Sequence, residues 1–178
     1  MASRDIWSHG SGRQLPDLMG SALMALLLRT DDARPAYFCS PWITNFTVAR
    51  NAFRDFEFLL PDLSDQEAIS FKDYLVHLAR SRPVRMVSTA QAVSLAFLQS
   101  PELHSSGVEH RLAGDGFHEK GILAPGFYLE GSMNLTHNGV YVNGEKVTYH
   151  AENDPDGEGR IARAYLEFNR RWELLERQ

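Results

Sequence analysis

The chain has 178 residues, of which 43% are hydrophobic and 23% charged, with a formal net charge of −5 and one cysteine. That length suits one domain with a sizeable core, and a single cysteine excludes an internal disulfide and a cysteine-built zinc cluster. The negative balance argues against broad, sequence-blind adhesion to nucleic acid or to an anionic membrane, which asks for a basic surface, although it leaves room for a small cationic site.

Residues 1–14 are polar, with Gly10, Ser11 and Gly12, and read as a flexible N-terminal arm ahead of a domain over 15–178. Leu15, Leu18, Met19, Ala22, Leu23, Leu26 and Leu27 recur at helical spacing and predict a buried helix over 16–29, with Pro16 in its first turn. The apolar run 18–28 is too short to span a membrane and is followed by RTDDARP rather than by a cleavage site, so it reads as core helix and not as a leader. Residues 36–43 (AYFCSPWI) suit a buried central strand ended by Ser40-Pro41. Cys39, inside that run, reads as a buried, inert thiol, which fits a reducing cytoplasm.

Further along, 47–53 reads as a short helix and 56–60 as a strand. Ser64-x-x-Glu67 is a capping-box pattern that predicts a helix running to Arg82. Residues 84–89 form the next strand. A helix over 90–99 with Val93, Ala96 and Phe97 inward ends at Pro101, and 108–112 is a short edge strand. This alternation predicts an α/β fold with a partly parallel sheet. From Phe117 the pattern changes to strands joined by short turns, over 117–124, 127–131 and 139–149. An acidic loop over 152–159 reads as solvated surface. A closing helix over 159–176 carries Ile161, Tyr165, Phe168, Trp172 and Leu175 on one stripe.

Chemistry concentrates between Phe117 and Glu145. There the sequence holds a His-x-Lys pair (His118, Lys120), a Gly-Ser-x-Asn group (Gly131, Ser132, Asn134), and Asn143 and Glu145. Residues two apart on a strand share a face, so His118 and Lys120 aim an imidazole and an ammonium at one point. Lysine is scarce here, at positions 72, 120 and 146 only, so Lys120 is not one of many surface lysines. A nucleophile or proton carrier, a cation and neutral donors converging on one spot suit cleavage of a phosphate diester. If Pro125–Phe127 is a three-residue turn, His118 faces Asn134 and Lys120 faces Ser132. A two-residue turn flips one pair to the other side unless residues 132–134 have left the strand.

Taken together, His118, Lys120, Gly131, Ser132, Asn134 and Glu145 resemble the phospholipase D superfamily, with SPWI and the aromatic C-terminal helix also similar. The resemblance implies a mixed sheet flanked by helices in one domain over 15–178. It also implies a metal-independent phosphodiesterase, most simply a DNA endonuclease. With one motif per chain, as in small bacterial endonucleases, it implies a homodimer whose two motifs face each other. In that scheme His118 attacks phosphorus and forms a phosphohistidine, and His118 of the second copy protonates the leaving oxygen. Lys120 and Asn134 bind the non-bridging oxygens, Ser132 adds a donor or shapes the turn, and Glu145 accepts the other ring N–H of His118. No cofactor or metal is implied. The motif departs from the family at Pro125, where an Asp usually stands, as in branches that include tyrosyl-DNA phosphodiesterases. That departure points away from the lipase branch.

The resemblance extends to phospholipase D-like proteins of bacterial phage-defence and DNA-modification clusters, including those for 7-deazaguanine. The alternative is an inactive or weakly active subunit that binds nucleic acid within a larger defence or restriction complex, which the acidic balance favours; phospholipid hydrolysis is a third reading. His104 and His110 have no acidic or cysteine partner at ligand spacing. His137 and His150 read as surface or loop residues, and Trp42 as core packing, with stacking on a base as its other use.

Overall fold

The computed structural model describes residues 3–8 and 12–175. Nine strands and six helices follow one another as β1 (Arg4–Ser8), α1 (Gln14–Leu27), β2 (Ala36–Cys39), β3 (Thr47–Arg50), β4 (Ala68–Ser70), α2 (Phe71–Leu78), β5 (Val84–Ser88), α3 (Ala92–Leu98), α4 (Pro101–Ser105), β6 (Glu109–Leu112), β7 (Gly121–Ala124), β8 (Phe127–Gly131), α5 (His137–Tyr141), β9 (Glu145–Ala151) and α6 (Pro155–Leu174). Seven of the strands make one mixed sheet in the order β1-β9-β8-β7-β2-β5-β6, while β3 and β4 pair separately. Strands β2, β5 and β6 are parallel, and the half from β7 to β1 is antiparallel. The α/β architecture with a mixed sheet and flanking helices therefore holds as expected.

Period-two alternation assigns each strand residue to one of two cores. Ala36 and Phe38 of β2, Val84 and Met86 of β5, and Ile122 and Ala124 of β7 pack into the larger one, with Leu15, Met19, Leu23 and Leu26 of α1. Tyr37, Cys39, Val87, Leu123 and Tyr128 face the other way, onto Ile161, Tyr165, Phe168 and Trp172 of α6. Tyr37 meets Phe168 and Trp172 edge-on, with ring centroids at 5.4 and 6.1 Å. Arg111 lies over the Trp172 indole at 4.2 Å. The Cys39 thiol is buried in this layer, which pushes its pKa well up.

Several local expectations are corrected. Part of the expected flexible arm is strand β1, because 4–8 pair residue by residue with β9; residues 9–11 lie outside the described ones. Residues 47–50 form a strand instead of a helix, since Thr47 to Arg50 find partners in 68–70. Residues 56–60 form turns around the buried Asn51, whose amide donates to the carbonyls of Leu63, Ser64 and Gln66 and accepts from Phe56 N–H. The capping box shifts with them. Ser70, not Ser64, caps α2 and accepts from Asp73 N–H at 3.2 Å.

Val93 turns out to be exposed. Its neighbour Ser94 points inward instead and accepts from Ile43 N–H at 3.0 Å. Helix α6 begins at Pro155 because Asp154 caps it. The acidic stretch before it is not free surface, for Glu152 pairs with Arg29 (2.6 Å) and Arg34 (2.5 Å). His150 is buried on β9, with Nε2 2.8 Å from Glu130 Oε1.

Trp172 is the largest fully buried side chain and closes the α6 face. Replacing it by alanine costs about 3–5 kcal/mol by the usual scale for buried aromatics. The midpoint of thermal unfolding should fall by roughly 10 °C, measured by circular dichroism; a shift within about 2 °C would contradict this packing.

Candidate active site

The parallel strands β2 and β5 end, β7 begins and β8 ends at one end of the sheet, and a cleft opens there, where ligands of open α/β sheets usually bind. It encloses about 310 Å³. Pro41 and Trp42 follow β2, and Thr89 and Gln91 follow β5. Asp115, Phe117, His118 and Lys120 precede β7, and Asn134 follows β8.

The β7–β8 hairpin settles how these groups meet. Its turn has two residues, Pro125 and Gly126, so Gly121 lies opposite Glu130. Gly126 takes a φ of 96°, the left-handed conformation that a turn with proline ahead of it requires. Lys120 and His118 then lie just beyond the strand, and Gly131 N–H donates to the Lys120 carbonyl at 3.3 Å. The chain leaves β8 at Ser132, the condition under which a two-residue turn keeps both motif pairs together. A Cβ on Gly131 would stand 2.2 Å from the Lys146 carbonyl oxygen, so glycine is required where β8 passes β9.

Lys120 is 8% exposed. Its Nζ donates to the His118 carbonyl at 3.1 Å and lies 3.2 Å from His118 Nε2. An ammonium carries donors only, so Nε2 takes part through its lone pair and the ring proton sits on Nδ1. Burial lowers the Lys120 pKa, and the charge of Glu145 works the other way. The other two lysines are engaged elsewhere, Lys72 with Glu102 at 2.7 Å and Lys146 with Asp5 at 3.4 Å.

Asn134 reaches the cleft from the far side. The Ser40 hydroxyl, fully buried, shares its one proton between the Trp42 carbonyl at 2.8 Å and Asn134 Oδ1 at 3.1 Å, and accepts from Leu135 N–H at 3.2 Å. The amide oxygen is thereby set against Ser40, which turns Nδ2 toward the cleft. Ser132 hydrogen-bonds Glu145 Oε2 and accepts from Lys146 N–H at 3.1 Å. Glu145 also faces Asn143 Nδ2 at 3.4 Å, and its own N–H donates to Ser8 Oγ of β1 at 2.9 Å. Glu145 is thus bonded to Ser132 and Asn143 and not to His118 as expected, because Ser132 stands nearer once the chain has left β8. His137 opens α5 and stacks on Tyr141.

Solved structures share this architecture. A phospholipase D family member, Nuc from Salmonella typhimurium, superposes with a TM-score of 0.58 at 18% identity, covering 99% of this chain and 97% of its own. NucT from Helicobacter pylori does so at 0.51 and 15%, covering 99% and 98%. TrmBL2, an archaeal chromatin protein with a novel mode of DNA binding, gives 0.55 and 12%, covering 100% of this chain but 54% of its own. The chain thus has the same fold as that phospholipase D family member. No family model and no curated protein sequence matches the chain.

On this phospholipase D fold the expected residues fall in two groups. His118, Lys120 and Asn134 share the cleft, while Ser132 and Glu145 stand behind it as a hydrogen-bonded support. Sequence reading missed Ser40, whose only signal was its place at the end of the first apolar strand. It also missed Thr89, Gln91 and Asp115, which lie in loops without a pattern. Trp42 is not core packing; it is 52% exposed on the cleft wall. Among the described residues no group of three or more His, Cys, Asp or Glu could hold a metal ion, and no helix is long and apolar enough to cross a membrane.

With three lysines in the chain, 13Cε lysine NMR can follow Lys120 by itself. It should titrate below the ordinary ~10.4, and lower still in Glu145→Gln, because the carboxylate that favours its charge is gone. An unchanged Lys120 pKa in that variant would show that Glu145 does not act on it.

Proposed function

We propose that the chain is a metal-independent phosphodiesterase, with DNA as its substrate and a homodimer completing its active site. The observation that carries this reading is His118 Nε2, 3.2 Å from the Lys120 ammonium in a cleft shared with Asn134. Nε2 attacks the diester phosphorus, a P–N bond forms and the P–O ester bond breaks. The leaving oxygen takes a proton from the protonated His118 of the second copy. Water, deprotonated by that same imidazole, then splits the P–N bond, releasing a phosphate monoester and restoring both histidines. Lys120 turns from Nε2 to a non-bridging oxygen, and Asn134 Nδ2, oriented by Ser40, donates to the other. Glu145 acts through Ser132 and through its charge on Lys120. The DNA binding of TrmBL2, which shares this architecture, supports the choice of nucleic acid. A role in phage defence or DNA modification belongs to the same proposal.

One observation favours the second reading, a catalytically weak subunit that binds nucleic acid in a larger complex. The Glu145 carboxylate is bound to Ser132 and Asn143, and among the described residues no carboxylate hydrogen-bonds the imidazole of His118.

Single- and double-stranded DNA incubated with the protein in EDTA, beside His118→Ala, separates the two. The enzyme reading expects cleavage in EDTA and a loss of about 10³-fold or more in the variant. It also expects an acid-labile, base-stable phosphoryl adduct on His118 in quenched samples, and a dimeric mass by light scattering. Wild-type protein that cuts no phosphodiester would sink it in favour of the subunit reading, and a strict monomer that cuts would remove the shared site.

A further inference from the structure

We propose that the outer part of the cleft is a base subsite, in which Trp42 stacks on an unpaired nucleobase beside the scissile phosphate. The substrate class is then single-stranded nucleic acid. This rests on the phosphodiesterase reading and names the substrate of the same site.

Trp42 is half exposed, yet the backbone around it is pinned. Pro41's carbonyl accepts from Ser88 Oγ (3.0 Å) and Thr89 Oγ1 (2.8 Å), and Trp42's accepts from Ser40 Oγ (2.8 Å). Ile43 N–H donates to Ser94 Oγ (3.0 Å), and Thr44 N–H to the Leu135 carbonyl (2.9 Å). Four side chains that hold this segment, Ser40, Ser88, Thr89 and Ser94, are buried. Buried hydroxyls spent on a surface loop fix the indole's base without covering its face. A rigid, uncovered aromatic is a preorganised stacking platform, and it binds without first ordering a loop.

The chemistry of the same wall excludes a second phosphate and fits a base. Among the described residues Lys120 is the one lysine or arginine lining the cleft, and in the proposed reaction it serves the reacting phosphate. The cleft that Trp42 lines is also lined by Asp115, which repels an anion but accepts from a base amino group, and by Gln91, which can both donate and accept. A chain of net charge −5 cannot draw its affinity from a run of phosphate contacts, so a neutral stacking term has to supply it. A base inside a duplex is already stacked on both faces, so only an unpaired one offers a face to Trp42.

The test uses a thymidine dinucleotide, whose single diester defines the position, and its analogues lacking one base. Steady-state kinetics of the full chain are compared with Trp42→Ala and Trp42→Phe. Trp42→Ala should raise KM about tenfold with kcat little changed, and Trp42→Phe should recover most of it. Wild type should lose about the same factor on one abasic analogue, and Trp42→Ala nothing further on that analogue. Longer DNA should be cut as a single strand in preference to its duplex. An unchanged KM in Trp42→Ala, independent losses from variant and abasic substrate, or equal cutting of duplex and single strand would each overturn the subsite. So would a change of oligomeric mass in Trp42→Ala, which would make Trp42 a contact between copies. If wild type cuts nothing, the phosphodiesterase reading has failed by itself. Tryptophan fluorescence on titration with oligothymidylate then decides the subsite: quenching that disappears in Trp42→Phe supports it, and quenching that persists there overturns it.

Discussion

The β7–β8 hairpin turns on two residues, and that count decides which groups share the cleft. With Pro125 and Gly126 as the whole turn, Gly131 lies level with Lys120, and any longer strand would send Ser132 and Asn134 to the face opposite His118 and Lys120. The chain avoids this by leaving the sheet after Gly131, where β9 comes too close for any Cβ. The turn is itself held from outside. Its Gly126 carbonyl accepts from Glu152 N–H at 2.9 Å, and the Glu152 carboxylate binds Arg29 and Arg34. An acidic stretch far from the cleft thereby helps set the register on which the cleft depends.

A second constraint joins the two walls. Ser40 and Asn134 lie 94 residues apart in sequence, and one buried hydroxyl links Trp42's carbonyl, the Asn134 amide and Leu135's N–H. A buried hydroxyl without partners would be costly, so its full set of bonds ties the position of the β2 loop to that of the β8 loop. Below them, Ile43 and Leu135 form an isolated parallel bridge. The cleft is therefore one built unit, with the wall that carries Trp42 and the wall that carries Asn134 tied to each other through Ser40.

Much of this was legible in the sequence because the strong signals are local. The helical spacing of α1, the apolar run of β2 and the aromatic stripe of α6 all report burial directly, and His118, Lys120 and Asn134 stood out through two short motifs taken together with the family resemblance they carry. What escaped reading depends on pairing at a distance. Residues 47–50 look like part of a helix until 68–70 supply a strand partner, and Ser64-x-x-Glu67 looks like a cap until that pairing moves the helix start to Ser70. Residues 4–8 look loose because their partner, β9, lies some 140 positions downstream. Trp42 looked like core because tryptophans after apolar strands usually are. No pattern marks the difference between an indole that fills a core and one held out over a cleft by buried hydroxyls. Glu145 was legible as an acid near the site, but its partner was not, since that depends on where Ser132 leaves the strand.

The composition of the cleft also bears on why the proposed reaction calls for a second copy. A displacement through His118 needs its Nε2 unprotonated at the start, and the Lys120 ammonium holds it so. The same imidazole cannot also deliver a proton to the leaving oxygen, because its attacking nitrogen becomes bonded to phosphorus. Lys120 is committed to charge stabilisation. Among the described histidines none but His118 lines the cleft, and Asp115 stands beside the outer wall that the base subsite uses. In the proposed dimer, a proton donor held in line with the leaving group would be the same residue of another chain, once substrate has drawn that chain's Lys120 away and its Nε2 has taken up a proton. Two identical half-sites would do by symmetry what one imidazole cannot do alone.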